Sequence, residues 1–510
     1  MSGKRKLVFW VMGISAWLCM MSCQSCNRHP HDYVTEVLDY VKLDDSFLEV
    51  ATVADSLQVP WGMTFFDNKI LFTEIIGNVK QLDLSTGQVS TLLRVPDVFT
   101  RTTPGLLDIV VQKDVKDNPY VIINYTAKEN DRIISKLVRY TYQKDTLINP
   151  VDLLTVRGAN GHNGARLMLD SKNTLYWATG DVADNTEAQD STTLNGKILR
   201  MTINGEIPPD NPIPNSFVYA WGFRNMQGLT IDDRGNIFTS EHGDAIEDEI
   251  NLIKPLNNYG WPAIEGMHDT PDEIEIAKHS SRTEPIWSWT PVVAPAGLAY
   301  YGESGIPEWE NTLLLVTLKS QSLRVLHLDD KNQQVKREKV YFSKKYGRMR
   351  AVLVTPNGDI YLSTSNRDWN PQPGFPLPTD DRILRLRRTT ETPDNYLKED
   401  VLETESKQHN GKQLYASFCA SCHKEDGLGV KGTFPPLKNA ARVQDNDAFI
   451  DILLNGSKGK DTIDGVFYEQ GMASFSFLKD EELAAIINYV KKEFGDGEQI
   501  SGDNVKKKRK

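Results

Sequence analysis

The most explicit chemistry in the chain is the pentapeptide Cys419-Ala420-Ser421-Cys422-His423. Two thiols at this spacing followed by an imidazole suit covalent attachment of a c-type haem. The thiols reach the two vinyl groups and the imidazole ligates iron. A zinc or thiol-redox pair is the competing reading, but a structural zinc site needs a second ligand pair and the sequence has none. Farther upstream, three segments gather imidazole, guanidinium, amide and carboxylate groups beside glycines. They are Gly161-His162-Asn163-Gly164-Ala165-Arg166-Leu167, Trp221-Gly222-Phe223-Arg224-Asn225-Met226-Gln227-Gly228-Leu229, and Ser240-Glu241-His242-Gly243-Asp244 running on into Glu247-Asp248-Glu249-Ile250-Asn251. Taken singly, a loop histidine is an ordinary surface or core residue, and an acidic pair is an ordinary turn. The alternating Arg348 and Arg350 read as the solvated face of a strand.

Something must bring these segments together, and a repeat in the apolar pattern supplies it. Six short apolar runs centred on Leu71, Val121, Leu175, Ile237, Leu314 and Ile360 recur at steps of 50, 54, 62, 77 and 46 residues. Turn signals such as Asp170-Ser171 and Pro356-Asn357-Gly358 precede several of them, so each reads as a buried strand. A second series follows at Val79-Lys80-Gln81-Leu82, Leu137-Val138-Arg139-Tyr140, Ile198-Leu199-Arg200-Met201, Glu249-Ile250-Asn251-Leu252, Leu323-Arg324-Val325-Leu326 and Ile383-Leu384-Arg385-Leu386. Six matched units of this length fit four-stranded blades arranged radially, whereas a β-helix wants shorter repeats and a sandwich gives no six-fold match. The expected fold is therefore an all-β six-bladed β-propeller over residues 45–388, with Phe47-Leu48-Glu49-Val50 closing the ring against the last blade. In such a ring the loops at one end of the channel converge, which is where polar clusters belong.

With the blades in this order, the chain resembles the soluble quinoprotein glucose/sorbosone (aldose sugar) dehydrogenases. The resemblance rests on Val59-Pro60-Trp61-Gly62, Gly105-Leu106-Leu107-Asp108, Leu194-Asn195-Gly196-Lys197-Ile198-Leu199-Arg200, Ile207-Pro208-Pro209-Asp210-Asn211-Pro212 and Asn258-Tyr259-Gly260-Trp261-Pro262. It implies a site for pyrroloquinoline quinone (PQQ) beside Ca²⁺ and oxidation of a sugar hydroxyl. His162 would be the general base and Arg224 would stabilise negative charge on substrate or quinone. Asn225, Gln227, Lys319, Arg348 and Arg350 would hold the quinone, arginine being suited to its carboxylates. Gly243 and Asp244 would present carbonyls to the catalytic calcium, and Asp248, Glu249 and Tyr259 would form a second calcium site. The chain departs from the family at Gly161, where an acidic residue contacts the sugar, at Thr102-Thr103-Pro104, at Asp244 and at Ala165. The quinone machinery is thus expected intact and the sugar contacts altered.

The order of elements after residue 406 resembles a class I cytochrome c, a small all-α domain. Helices are expected over 411–418 and 481–494. Phe434-Pro435-Pro436-Leu437 matches the family's haem-packing loop, and Met472 stands in the place of the second iron ligand, ahead of His409 in the linker. At the other end, Lys4-Arg5-Lys6 precedes an apolar run from Leu7 to Met21, then Ser22 and Cys23. About 15 apolar residues make a secretory signal rather than a span. The cysteine resembles a lipoprotein anchor, with Cys26 as the weaker alternative. Expected boundaries are a signal peptide at 1–22, linkers at 23–44 and 389–405, the haem domain at 406–497 and a solvated basic tail at 498–510. The net charge of −11 and the lack of a basic stripe interleaved with aromatics exclude nucleic acid as a partner.

Together these readings give an exported, periplasmic or cell-envelope lipoprotein that oxidises an aldose-type sugar. It would pass electrons through its own haem to a respiratory acceptor, a cytochrome or an oxidase. A propeller that only binds carbohydrate or protein beside a separate haem path, and a calcium-dependent lactonase, are the competing readings. The lactonase leaves Lys319, Arg348, Arg350 and the fused haem unexplained.

Overall fold

The computed structural model describes residues 35–302, 305–400, 410–468, 471–496 and 498–509. Every anchor run becomes the second strand of an antiparallel sheet: Lys69–Glu74, Tyr120–Glu129, Leu175–Thr179, Ile237–Glu241, Thr312–Thr317 and Ile360–Thr364. The second series becomes the third strands, from Asn78–Asp83 to Ile383–Thr389. Strands in these positions are covered by the neighbouring blades on both faces, so they read as continuous apolar runs rather than as alternation.

Six sheets form the six blades. The innermost strands Pro60–Phe66, Leu106–Val111, Gly164–Leu169, Met226–Ile231, Pro295–Tyr301 and Met349–Val354 pack side by side round the channel, the last against the first. The ring closes as expected: Phe47–Ala54 pairs with Ile383–Thr389, with Val50 opposite Leu386. This puts strands from the two ends of the propeller in one blade and leaves no open edge there.

The flanking segments correct the expected boundaries. Val37–Lys42, inside the 23–44 linker, is a fifth strand on the closing blade. The start of the 389–405 linker is laid on the propeller. Leu397 exchanges backbone hydrogen bonds with Tyr40 and Lys42, and the Asp400 amide donates to the Val340 carbonyl. Burial of Leu397 against the last blades outweighs its polar surroundings. Residues 401–409, with His409, lie outside the described residues, as do Cys23, Cys26 and the whole expected signal.

The haem domain has its two helices at Gly411–Phe418 and Asp480–Phe494. They cross so closely that a Cβ at Gly411 would collide with the Ala485 carbonyl, and only glycine permits that approach. Further helices at Ala420–His423, Ala441–Gln444 and Asn446–Asn455 and a hairpin of Asp461–Ile463 with Val466–Tyr468 complete it. The basic tail is docked rather than free, although Lys506 and Lys507 stay exposed. Gly502–Lys508 is a helix with Val505 fully buried, Lys508 paired with Asp447 at 3.0 Å and Arg509 with Asp480 at 2.8 Å. One apolar residue amid lysines gave little sequence signal, yet it is the residue that docks the helix. No described helix is long and apolar enough to cross a membrane.

Val505→Asp should destabilise the haem domain by roughly 3 kcal/mol, because it buries an unpaired charge. The paired control Lys506→Ala, at an exposed position, should stay within about 0.5 kcal/mol. Denaturant midpoints followed by haem absorbance check both, and an unchanged midpoint for Val505→Asp would remove the terminal helix from the folded unit.

Candidate functional site

The innermost strand of blade three begins at Gly164, and the turn before it carries His162 at φ +51°, a left-handed conformation uncommon for a non-glycine residue. The turn is pinned from two sides. The His162 carbonyl accepts the Val182 amide at 3.1 Å, and Gly180 lies so close beneath that a Cβ there would strike it. Ala165, where the family has glycine, is held at φ +95° in the same turn.

The His162 ring is fixed by a residue that sequence reasoning missed. Its Nδ1 lies 2.9 Å from Asp181 Oδ1, and Asp181 Oδ2 accepts the Trp261 indole at 2.8 Å. Burial would raise Asp181, but the His162 ring and the Arg224 charge outweigh it and hold the carboxyl below its usual range. An ionised carboxylate can only accept, so Nδ1 carries a proton and Nε2 is the ring nitrogen left for other partners. Asp181 follows a buried strand through a single glycine, a position at the channel mouth that should have marked it.

Cations surround this base. Arg224 pairs with Asp244 at 2.7 Å, lies 5.3 Å over the Trp261 ring, and presents its backbone carbonyl to the Asp181 amide at 2.8 Å. Arg348 and Arg350 are buried, not solvated, and share one carboxylate, Asp368, at 3.2 and 2.7 Å. Burial lowers Arg350 to about 10, with Arg348 and Arg166 adding to the effect. Arg350 also donates to Gln227 Oε1 at 3.2 Å, and Gln227 Nε2 donates to Asn225 Oδ1 at 3.1 Å. The Nε atoms of Arg224, Arg348 and Arg350 are buried without hydrogen-bond partners. Two guanidiniums sharing one carboxylate, and three with an unpartnered buried Nε, fit a polyanionic ligand such as PQQ with its three carboxylates.

Beneath them lies a second missed pair. Arg166 is fully buried against Asp108 at 3.2 Å and stacks 4.0 Å over Trp61. It donates to the carbonyls of Gln227, Trp61 and Arg350. Asp108 stood in a block that carried the family resemblance and Arg166 in the polar segment after Gly161, but nothing in sequence joined them.

The side chains expected for calcium are engaged with protein partners. Asp248 accepts the amides of Gly243 at 3.0 Å, Val293 at 2.5 Å and Ala294 at 2.7 Å, so it staples the loops of blades four and five together. Burial nevertheless raises it to about 6. The Tyr259 hydroxyl donates to the Leu252 carbonyl at 2.7 Å and accepts the Lys254 amide. Asp244 turns to Arg224, while Gly243 stays at the cavity wall. Glu249 is raised to about 7 by burial and by its acidic neighbours, yet it accepts from Asn251 and Gly266. Among the described residues no group of three or more His, Cys, Asp or Glu is arranged to hold a metal ion. Asp248, Glu249 and Tyr259 do not act as one set: Asp248 is spent on backbone amides, whereas Glu249 and Tyr259 line a small pocket with Gly243, Glu241 and Glu265.

The haem residues do fit their group. Cys419 and Cys422 are free thiols, and Cys419 is buried. His423 Nδ1 donates to the Pro435 carbonyl at 2.9 Å, which leaves Nε2 to ligate iron, and burial lowers its pKa so that it stays neutral. Met472 is held by Ser457, whose carbonyl and hydroxyl both accept its amide at 3.1 Å. Leu437, Val443, Phe449, Ile452 and Phe475 wall the same space.

The two sets of residues share one cavity of about 650 Å³. His162, Arg224, Arg348 and Arg350 line its propeller side, and Cys419, Cys422, His423 and Met472 its haem-domain side. Lys319, expected on the quinone, donates to the Ser417 carbonyl of the haem domain, and burial lowers its pKa. Asn370 Nδ2 donates to the Ser421 carbonyl at 2.8 Å, and the Trp369 and Phe434 rings lie 5.8 Å apart.

The profile of the glucose/sorbosone dehydrogenase family matches residues 57–370, and that of cytochrome c matches residues 408–493. The aldose sugar dehydrogenase YliI of Escherichia coli (strain K12) is 30% identical over 335 residues, covering 62% of this chain and 90% of that protein. Cytochrome c-552 of Thermus thermophilus is 37% identical over 100 residues, covering 19% of this chain and 76% of its own. The PQQ-bound aldose sugar dehydrogenase of Streptomyces coelicolor superposes with a TM-score of 0.59 at 31% identity, covering 67% of this chain and 98% of that one. A profile matching more than half of the chain, over the blades and funnel described above, makes this protein a member of the glucose/sorbosone dehydrogenase family, with a cytochrome c domain after its propeller.

Proposed function

We propose that the protein is an exported, PQQ-dependent sugar dehydrogenase that delivers electrons to its own c-type haem. The observation that carries the reading is the shared cavity: a poised base, a cluster of buried cations and the haem-attachment turn face one another across it. PQQ would supply the two-electron acceptor and haem c the one-electron exit. Arg348, Arg350 and Gln227 would bind quinone carboxylates and carbonyls, with Lys319 at the rim. His162 would take the proton of the sugar hydroxyl on Nε2 while Asp181 holds Nδ1–H. The imidazolium formed is then stabilised by a buried carboxylate. Arg224, fixed by Asp244 and Trp261, would orient the substrate oxygen and offset negative charge that develops during oxidation.

An aldose-type sugar is the substrate class that the family relationship supports. Gly161 gives the sugar no carboxylate, so selectivity would rest on other groups at the mouth. From the haem, electrons would pass to a respiratory acceptor, a cytochrome or an oxidase. The N-terminal Lys4-Arg5-Lys6, the apolar run and Ser22-Cys23 support export and a lipid anchor at Cys23.

In PQQ-loaded protein, His162→Ala should slow sugar-driven haem reduction by roughly 10²- to 10⁴-fold while covalent haem content is unchanged. Undiminished reduction would remove His162 as the base. Asp181→Asn should also slow the reaction and move the acidic limb of its pH profile to lower pH, because the lost carboxylate no longer favours the imidazolium. A profile that stays in place would show that Asp181 only supports the turn. Cys23→Ser should shift the protein from the membrane fraction to the soluble fraction, and continued membrane retention would argue against this anchor.

A further inference from the structure

The haem domain meets the propeller round the haem-bearing turn, where Ala245 of the 243–247 loop packs into the haem domain's apolar cluster and Lys319 donates to the Ser417 carbonyl. Ser421 is one of the two residues between the attachment cysteines, and its carbonyl accepts Asn370 Nδ2 at 2.8 Å, with Asn370 itself buried. Next to it the Trp369 ring meets Phe434 at 5.8 Å and an interplanar angle of 39°. Phe434 immediately precedes Pro435, whose carbonyl orients His423. Two consecutive residues of blade six therefore grip both sides of the haem site, the attachment turn and the loop that aims the iron ligand.

The grip is itself rigidly based. The Trp369 amide donates to Asp368 Oδ1 at 2.8 Å, and Asp368 Oδ2 is the carboxylate shared by Arg348 and Arg350. The position of the haem domain is thereby tied, through one carboxylate, to the cations of the quinone site. The tether keeps the haem domain at high local concentration, so even a modest interface holds it in place.

We propose that Trp369 and Asn370 are a docking latch, an intramolecular interface that holds the haem-attachment turn over the propeller funnel and so sets the rate of internal electron transfer. The proposal rests on the functional reading above for its electron-transfer consequence, but not for the docking itself. No bond to substrate is made or broken at the latch. Electrons released by sugar oxidation pass to the haem in the docked arrangement, and protons leave by His162.

The test uses the full chain with haem attached, comparing wild type with the double variant Trp369→Ala/Asn370→Ala and with the milder Trp369→Phe. Hydrogen–deuterium exchange is followed in peptides covering 243–246 and 417–423, without quinone or sugar. Exchange in these segments should rise in the double variant. Unchanged exchange overturns the latch, whatever the chemistry of the site. The same proteins, loaded with PQQ and given glucose, are then assayed for haem reduction and for reduction of a small diffusible dye. Haem reduction should fall by about tenfold in the double variant, dye reduction should stay within about twofold, and Trp369→Phe should recover most of the loss. A parallel fall in both would also overturn the proposal, placing these residues at the substrate site instead. If wild type reduces neither haem nor dye while the exchange result holds, the functional reading fails and the latch stands.

Discussion

The arrangement depends on a guanidinium at the floor of the funnel. Arg166, from blade three, donates to carbonyls on blades one, four and six, pairs with Asp108 of blade two and stacks on Trp61. A propeller has no core along its axis, only six innermost strands meeting side by side. A fully buried cation with every contact aimed at a different strand fixes their relative height. Burial disfavours the charged form of both Arg166 and Asp108, so the pair is retained at a cost, and removing either partner would strand the other. Two of the carbonyls it holds belong to Gln227 and Arg350, residues that project into the site above. The register of these cavity-facing groups is therefore set from below by one ion pair.

Above that floor, the chemistry is divided by charge. His162 is held by a pinned turn and a buried carboxylate, and the cavity beside it is lined by guanidiniums with unpartnered donors. Asp368 belongs to both the pocket and the interface, because its two oxygens serve Arg348, Arg350 and the Trp369 amide. The haem domain contributes the opposite wall, with a neutral imidazole and an apolar lining suited to a high-potential haem. Fusion makes the first electron acceptor a permanent neighbour rather than a diffusing partner.

How much of this was legible in sequence follows from what each strand is buried against. Strands sandwiched between blades, such as Leu175–Thr179, announce themselves as apolar runs. The innermost strands do not, because the channel needs Arg166, Gln227 and Arg350 where a core would have leucine. Those strands were visible only as functional blocks. The haem motif was fully legible because its chemistry is local. Asp181 and Asp368 were not, since each acts on residues from another turn or strand and neither has a distinctive neighbour in sequence. Asp248 misled for another reason: the family resemblance assigned it to a metal, but here three backbone amides use its lone pairs. The terminal lysines concealed Val505 in the same way, with composition outvoting the one residue that packs.

The most direct measurement is the rate of haem reduction after rapid mixing of PQQ-loaded protein with an aldose, repeated over a wide range of protein concentration. The account predicts reduction only when quinone and sugar are both present, with a rate constant independent of protein concentration, as befits a donor and acceptor facing one another across one cavity. A rate that rises in proportion to protein concentration would place the transfer between molecules. No reduction of a chemically reducible haem would contradict the shared site altogether.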